Sequence, residues 1–194
     1  MQTLRRTFSF SLATALLVGS MGLAFAETPA LPRVKFTTSQ GEFVVELEPG
    51  KAPQTVENFL QYVQDKHYEG TVFHRVIDGF MIQGGGFTAD MQQKPTRAPI
   101  ALEARNGLKN DRYTIAMART GNPNSATSQF YINVANNDML NAPNPDGHGY
   151  AVFGKVVQGQ AVIDKIRTVP TGNRGMHQNV PITAVTITAA SVQK

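Results

Sequence analysis

The feature that most constrains the fold of this 194-residue chain is a series of short apolar segments separated by turn-forming residues. Their composition and spacing predict about eight strands, at 34–36, 43–47, 71–77, 80–83, 113–118, 129–134, 150–157 and 180–189. Two segments, 53–65 and 160–167, have helical spacing instead. There is no strict βαβ alternation and no internal repeat. The pattern is typical of a sandwich or a closed barrel and does not decide between them.

The first 26 residues have the layout of a cleaved secretory signal peptide. Arg5 and Arg6 precede an uncharged, mostly apolar stretch that ends in the small-x-small pattern Ala24-Phe25-Ala26. An uncleaved membrane anchor is disfavoured, because serine, threonine and glycine dilute a span of about 20 residues. The two arginines also fit a twin-arginine signal. We predict cleavage after Ala26, one domain over residues 27–194, and no stable membrane association after cleavage.

Composition excludes several kinds of site. The chain has no cysteine, so disulfides, thiol nucleophiles and cysteine-based zinc sites are absent. Its four histidines lack metal-binding spacing, and neither a phosphate loop nor a serine nucleophile elbow is present. We therefore expect no metal and no cofactor. Removing the two signal arginines would lower the net charge from +4 to +2, and no basic run predicts a nucleic-acid partner.

One arginine, Arg75, lies within the run of large apolar residues from Phe73 to Gln83. A guanidinium stays protonated and is costly to bury alone. It can reach the surface, pair with a carboxylate, or sit at the mouth of an apolar pocket. A two-residue hairpin at Asp78-Gly79 would pair Arg75 with Ile82 and leave Met81 and Gln83 on the other face.

The pattern alone leaves two interpretations of this region open. Phe80, Met81 and Phe130 can be ordinary core residues, with Arg75 as a charge on an edge strand. Alternatively, the same residues form a site around the arginine.

Several blocks of the sequence resemble the cyclophilins, the cyclophilin-type peptidyl-prolyl isomerases. The central block is Phe73-His-Arg-Val-Ile-Asp-Gly-Phe-Met-Ile-Gln-Gly-Gly85. The others are Gly107-Leu-Lys-Asn110, Ile115-Ala-Met-Ala-Arg119, Ser125-Ala-Thr-Ser-Gln-Phe-Tyr-Ile-Asn133, Gly149-Tyr-Ala-Val-Phe-Gly-Lys-Val156, and the helix from Pro53 to Phe59. The likeness runs in order over about residues 34–190. It implies a mainly β fold, a closed eight-stranded antiparallel β-barrel capped by two α-helices, with a groove outside the barrel.

The resemblance also implies an activity and a set of site residues. The activity is acceleration of rotation about X-Pro peptide bonds, with Arg75 and Gln83 as the catalytic residues. Gln83 would bind the substrate backbone and steady Arg75. A proline pocket would be lined by Phe80, Met81, Phe130 and Leu140, with Tyr150 at its rim. Further groove positions are His74, Gln129, and the backbone of Ala118 and Arg119.

The expected partners are proline-containing segments of exported proteins, and the expected location of the monomeric protein is the periplasm. Two other functions remain open. One is a chaperone that binds proline segments with incidental isomerase activity. The other is an adaptor that docks through residues 87–112 or 136–149. Many cyclophilins carry a tryptophan near Met139 and a histidine where Tyr150 stands, so the resemblance implies weak inhibition by cyclosporin.

Overall fold

The computed structural model describes residues 30–193, and the predicted signal peptide lies outside them. Two helices, α1 (Pro53–Gln64) and α2 (Gln160–Arg167), accompany ten strands in this part of the chain. The strands are β1 (Arg33–Thr38), β2 (Gly41–Leu47), β3 (Arg75–Ile77), β4 (Met81–Gly84), β5 (Thr114–Met117), β6 (Phe130–Asn133), β7 (Val152–Gln158), β8 (Thr171–Arg174), β9 (His177–Pro181) and β10 (Ile187–Gln193). None of the helices described is long and apolar enough to cross a bilayer.

Eight strands form one antiparallel sheet in the order β10-β1-β2-β7-β5-β6-β4-β3. The prediction of a mainly β fold with two helices is therefore confirmed. Closure of the barrel is not confirmed, because β3 and β10 remain the edges of this order. The sheet curls strongly enough that the segments preceding these two strands meet. Three backbone hydrogen bonds of 2.8–2.9 Å join residues 70–73 to residues 185–187.

The concave face of the sheet holds an aromatic core. Side chains from all eight strands of this sheet and from both helices contribute to it, and they alternate along the strands with outward-facing residues. The rings of Phe36, Phe59, Tyr68 and Phe130 lie with neighbouring centroids 5.4–6.1 Å apart. Burial of such rings is the largest favourable term available to a chain without disulfides.

Helix α1 begins as its sequence predicts, with Pro53 in the first turn, where a missing N–H is tolerated. Its N-cap, Ala52, makes no side-chain hydrogen bond. The side chain of Glu103, which is distant in the sequence, caps the helix instead. The Glu103 carboxylate accepts from the backbone N–H groups of Gln54 at 3.1 Å and Thr55 at 2.8 Å. The irregular segment 87–112 is thereby tied to the helix that covers one end of the core.

The β8–β9 hairpin was not predicted from the sequence. Strand β8 is exposed along its whole length and has no apolar alternation that would indicate a strand. The predicted last strand, 180–189, is divided in the structure: Val180 and Pro181 end β9, and β10 begins at Ile187. The hairpin forms a separate two-stranded sheet, and β9 packs beside β3.

Candidate active site

The connection between β3 and β4 decides which side chains accompany Arg75. Arg75 pairs with Gln83, and Ile77 pairs with Met81, so three residues, 78–80, form the turn. Gly79 adopts a positive φ of 74°, as three-residue hairpin loops require. The expected two-residue turn, which paired Arg75 with Ile82, was wrong by one position. Because side chains alternate, that shift brings Met81 and Gln83 to the face of Arg75.

One row of directly opposed residues crosses four strands on the convex face of the sheet. Arg75 on β3 opposes Gln83 on β4, Gln83 opposes Tyr131 on β6, and Tyr131 opposes Ala116 on β5. Opposed residues of an antiparallel pair project to the same side. A second apolar cluster lies on this face, distinct from the aromatic core, and contains Met81, Ala116, Tyr131, Leu140 and Val152.

This outer cluster contains a cavity of about 100 Å³ with Arg75 in its wall. Eight residues of the predicted site line it: Arg75, Phe80, Met81, Gln83, Ala118, Arg119, Leu140 and Tyr150. The ninth lining residue is Tyr131. We call it the Arg75 cavity. A larger cavity of about 500 Å³ shares no residue with it and is lined mainly by polar side chains.

Arg75 lies beside this apolar surface without a carboxylate partner. Within residues 30–193 its guanidinium takes part in no ion pair and no side-chain hydrogen bond, whereas Arg119 and Arg167 are each paired with an aspartate. Gln83 was expected to steady Arg75, but its Nε2 donates to Gln129 Oε1 at 2.9 Å. The donors of Arg75 are therefore free to act on a bound molecule.

Phe130 was predicted to line the proline pocket, and the structure places it in the aromatic core instead. Its side chain is fully buried, and its ring lies 5.6 Å from that of Phe36. The next residue, Tyr131, lines the Arg75 cavity. Successive residues of a strand face opposite sides, so only one of the two can reach the pocket. The hydroxyl group is no signal in the sequence, since Tyr68 also carries one and lies in the aromatic core.

Hydrogen bonds at its hydroxyl group hold the Tyr131 side chain in place. Its hydroxyl donates to Asn110 Oδ1 at 2.7 Å, and the same oxygen accepts from Asn133 Nδ2 at 3.2 Å. Burial raises the pKa of Tyr131 well above its ordinary value, so the phenol stays protonated. Tyr131 thus presents a fixed, neutral ring to the cavity.

Arg119 contributes its side chain to the site, in addition to the backbone role expected from the sequence. The side chain is 1% exposed, and its Nη2 lies 2.8 Å from Asp146 Oδ2. Nε and Nη2 also donate to the carbonyl of Gly149 at 3.0 and 2.8 Å. Burial is the largest single influence and raises the pKa of Asp146, but the hydrogen bonds from Arg119 and from the backbone N–H groups of His148 and Gly149, together with the charge of Arg119, lower it by more, so the net pKa is lowered. The guanidinium thereby fastens the 141–149 loop to the end of β5.

The two remaining predicted residues lie beside the cavity rather than in it. Gln129 lines a neighbouring space of about 270 Å³, which also contains Gln83 and Arg119. His74 is 5% exposed and lines another space on the opposite side of Arg75. Both spaces meet the Arg75 cavity at Gln83.

A family model, cyclophilin type peptidyl-prolyl cis-trans isomerase/CLD, matches residues 33–192. The chain belongs to the cyclophilin family. This cyclophilin is a peptidyl-prolyl cis-trans isomerase, as are its curated relatives by name.

Two bacterial relatives are similar over nearly their whole length. A peptidyl-prolyl cis-trans isomerase of Streptomyces antibioticus is 58% identical over 161 residues, which are 82% of this cyclophilin and 97% of the relative. Peptidyl-prolyl cis-trans isomerase B of Escherichia coli is 53% identical over 163 residues, or 83% and 99% of the two chains.

Solved structures agree with the fold. A cyclophilin type isomerase of Cryptosporidium parvum superposes with a TM-score of 0.70 at 27% identity, covering 84% of this cyclophilin and 98% of the other chain. A second structure of that protein, determined in the presence of the dipeptide Ala-Pro, superposes with a TM-score of 0.69.

Proposed function

We propose that this cyclophilin accelerates X-Pro rotation in exported proteins during folding, and that Arg75 stabilises the twisted transition state. The prolyl bond resists rotation because the nitrogen lone pair is delocalised into the carbonyl, with a barrier of about 18–20 kcal/mol. When the bond twists, the lone pair becomes localised on nitrogen. A guanidinium N–H aimed at that nitrogen binds the transition state more strongly than the ground state, which is the condition for catalysis.

The observation that carries this proposal is the unpaired guanidinium of Arg75 at the wall of an apolar cavity. An arginine held by a carboxylate would first have to break that pair. Phe80, Met81, Tyr131 and Leu140 offer the proline ring an apolar surface, and Gln83 can bind the substrate backbone. The mechanism needs no covalent intermediate, metal or general base.

Magnitudes show that the arginine does not act alone. A rate gain of about 10⁵ corresponds to roughly 7 kcal/mol. One preorganised charged donor supplies about 3–4 kcal/mol. The remainder comes from holding the ring and the flanking chain in a twisted pose.

The test is cis–trans exchange of an X-Pro peptide, measured by NMR, for the parent and for Arg75→Ala. We expect kcat/KM to fall about 10²- to 10³-fold with peptide affinity nearly kept. Arg33→Ala is the matched control, since Arg33 lies on β1 and is paired with Glu46. Equally fast exchange in Arg75→Ala would overturn the role of Arg75, and peptide binding without accelerated exchange in either protein would favour a binding role with incidental isomerisation.

Export is supported by the N-terminal sequence alone, with its basic start, apolar stretch and Ala24-Phe25-Ala26 site. Slow prolyl isomerisation limits the folding of many chains, which gives an isomerase a task in the periplasm. Fractionation and N-terminal sequencing of the native protein test this. A mature protein that begins at Glu27 in the periplasmic fraction is expected, and an intact N-terminus in the cytoplasm contradicts it. Light scattering of the same sample tests the expected monomer.

A further inference from the structure

The β8–β9 hairpin stands beside Arg75, on the side away from the Arg75 cavity. Its two strands are joined by Gly175 and Met176, and Gly175 has a positive φ of 59°. The hairpin lies outside the main sheet, but β9 packs beside β3, the strand that carries Arg75.

A row of three rings in tilted and edge-on contact holds the hairpin in this position. The Phe87 ring lies 4.7 Å from the ring of His74 and 5.1 Å from that of His177, measured between centroids. His74 directly precedes Arg75 in the chain. Arg174, which lies on the other strand of the hairpin, also contributes: one of its guanidinium nitrogens donates to the carbonyl of Ala89. The hairpin is therefore fixed relative to the catalytic strand rather than attached only at its ends.

Between the hairpin and the sheet lies a space of about 430 Å³, lined on one side by Arg75 and Gln83 and on the other by residues 176–179. We call it the hairpin cavity. Arg75 and Gln83 also line the Arg75 cavity, so the two spaces are adjacent. A polypeptide advances about 3.3–3.6 Å per residue, so a chain bound at the Arg75 cavity reaches the hairpin cavity within a few residues of its proline.

The hairpin cavity is lined by amide, histidine and arginine side chains and by two apolar ones, Phe87 and Met176. No aspartate or glutamate is among its lining residues. Met176 stands at its edge with 98% of its side chain exposed. A single exposed methionine needs no explanation by itself. This one faces a cavity that opens onto Arg75, and a thioether on three rotatable bonds adapts to many apolar partners.

We propose that the hairpin cavity is a second substrate subsite, which takes a large aliphatic or aromatic side chain from a residue flanking the X-Pro pair. Met176 and the Phe87 ring contact that side chain. This rests on the proposed function, since the substrate chain must lie across Arg75. The occupant is the substrate itself, because the subsite adjoins the site where the prolyl bond rotates and shares Arg75 and Gln83 with it.

The experiment measures kcat/KM for X-Pro peptides in which the residue before X, or the residue after proline, is Ala, Leu or Phe. We expect the parent to prefer Phe or Leu over Ala about three- to tenfold at one of the two positions. In Met176→Ser that ratio should fall toward one. In Met176→Lys the same position should gain a preference for Glu. The control is Ile182→Ser, since Ile182 is 74% exposed and does not line the cavity.

The outcomes separate this subsite from the proposed function. If the Ala peptides are turned over by the parent and lost in Arg75→Ala, the proposed function stands whatever the ratios are. A parent without discrimination at either position, or a Met176→Ser variant with the ratio of the parent, overturns the subsite. As a second readout, the ¹³C-methyl signal of Met176 should shift when the Phe peptide saturates the protein, and an unmoved signal also overturns it.

Discussion

The guanidinium carbon of Arg119 lies 4.3 Å from the centre of the Tyr150 ring. The same guanidinium is buried, paired with Asp146 and bonded to the carbonyl of Gly149. Tyr150 in turn meets Tyr131 edge-on, with centroids 5.9 Å apart. The wall of the Arg75 cavity is thus a stack in which a planar cation supports two tyrosines.

Replacing Arg119 should therefore change substrate binding more than turnover. In Arg119→Lys we expect KM to rise about tenfold with kcat within about threefold, because an ammonium keeps the charge but has neither the fork nor the planar face. Steady-state kinetics measure this split. Asp146→Asn is the comparison, since it keeps the stack and the bonds to Gly149, and its KM should rise less. Equal effects of the two variants would contradict the role of the stack.

Substitutions of the neighbours Phe130 and Tyr131 should have opposite effects: the first should lower stability, and the second should lower activity. Phe130→Leu alters the core, and we expect the free energy of unfolding to fall by about 1–3 kcal/mol with kcat/KM of the folded protein near that of the parent. Tyr131→Leu should lower kcat/KM about tenfold or more, since it removes a cavity wall. Urea unfolding and exchange kinetics on both variants check this. A larger loss of kcat/KM in Phe130→Leu than in Tyr131→Leu would indicate that Phe130 lines the pocket.

Gly86 has no room for a side chain. A Cβ there would lie 2.5 Å from Cγ of Gln129, so Gln129 must turn away and its hydrogen bond with Gln83 breaks. In Gly86→Ala we expect KM to rise about three- to tenfold with kcat nearly kept. Gly121→Ala is the matched control, because its Cβ would meet no atom within 4 Å. A parent-like KM in Gly86→Ala would show that the Gln83–Gln129 bond does not matter for binding.

His74 should make the protein less stable as the pH falls. Burial, with His177 as the second cause, lowers the pKa of His74 to about 4, whereas a histidine in the unfolded chain titrates near 6.5. The unfolded chain then binds the proton more readily. The contribution of His74 is fully present above about pH 6.5 and is lost as the pH falls toward 4, up to about 3 kcal/mol.

Urea unfolding at several pH values between 7 and 4 measures this loss in the parent and in His74→Gln. The variant should show a flatter profile. A remaining slope is expected from His67, whose pKa burial also lowers. Identical profiles would mean that His74 is not buried in its neutral form.

The sequence by itself determined the features whose causes are local. The apolar stripe at Val56, Phe59, Leu60 and Val63 predicted α1, and the spacing of 160–167 predicted α2 with the bounds found in the structure. The long motifs from 73 to 156 predicted the family, and with it the isomerase activity. These signals need no knowledge of what packs against them.

The tertiary structure alone decided which faces meet. One extra residue in the 78–80 turn moved Met81 and Gln83 to the side of Arg75, and the strand register chose Tyr131 over Phe130. Arg119 binds Asp146, which lies 27 positions further along the chain. The exposed strand β8 has no apolar alternation from which the β8–β9 hairpin could be predicted. The reason is physical: a strand's face flips with a single-residue shift, and long-range contacts leave no periodicity in the local sequence.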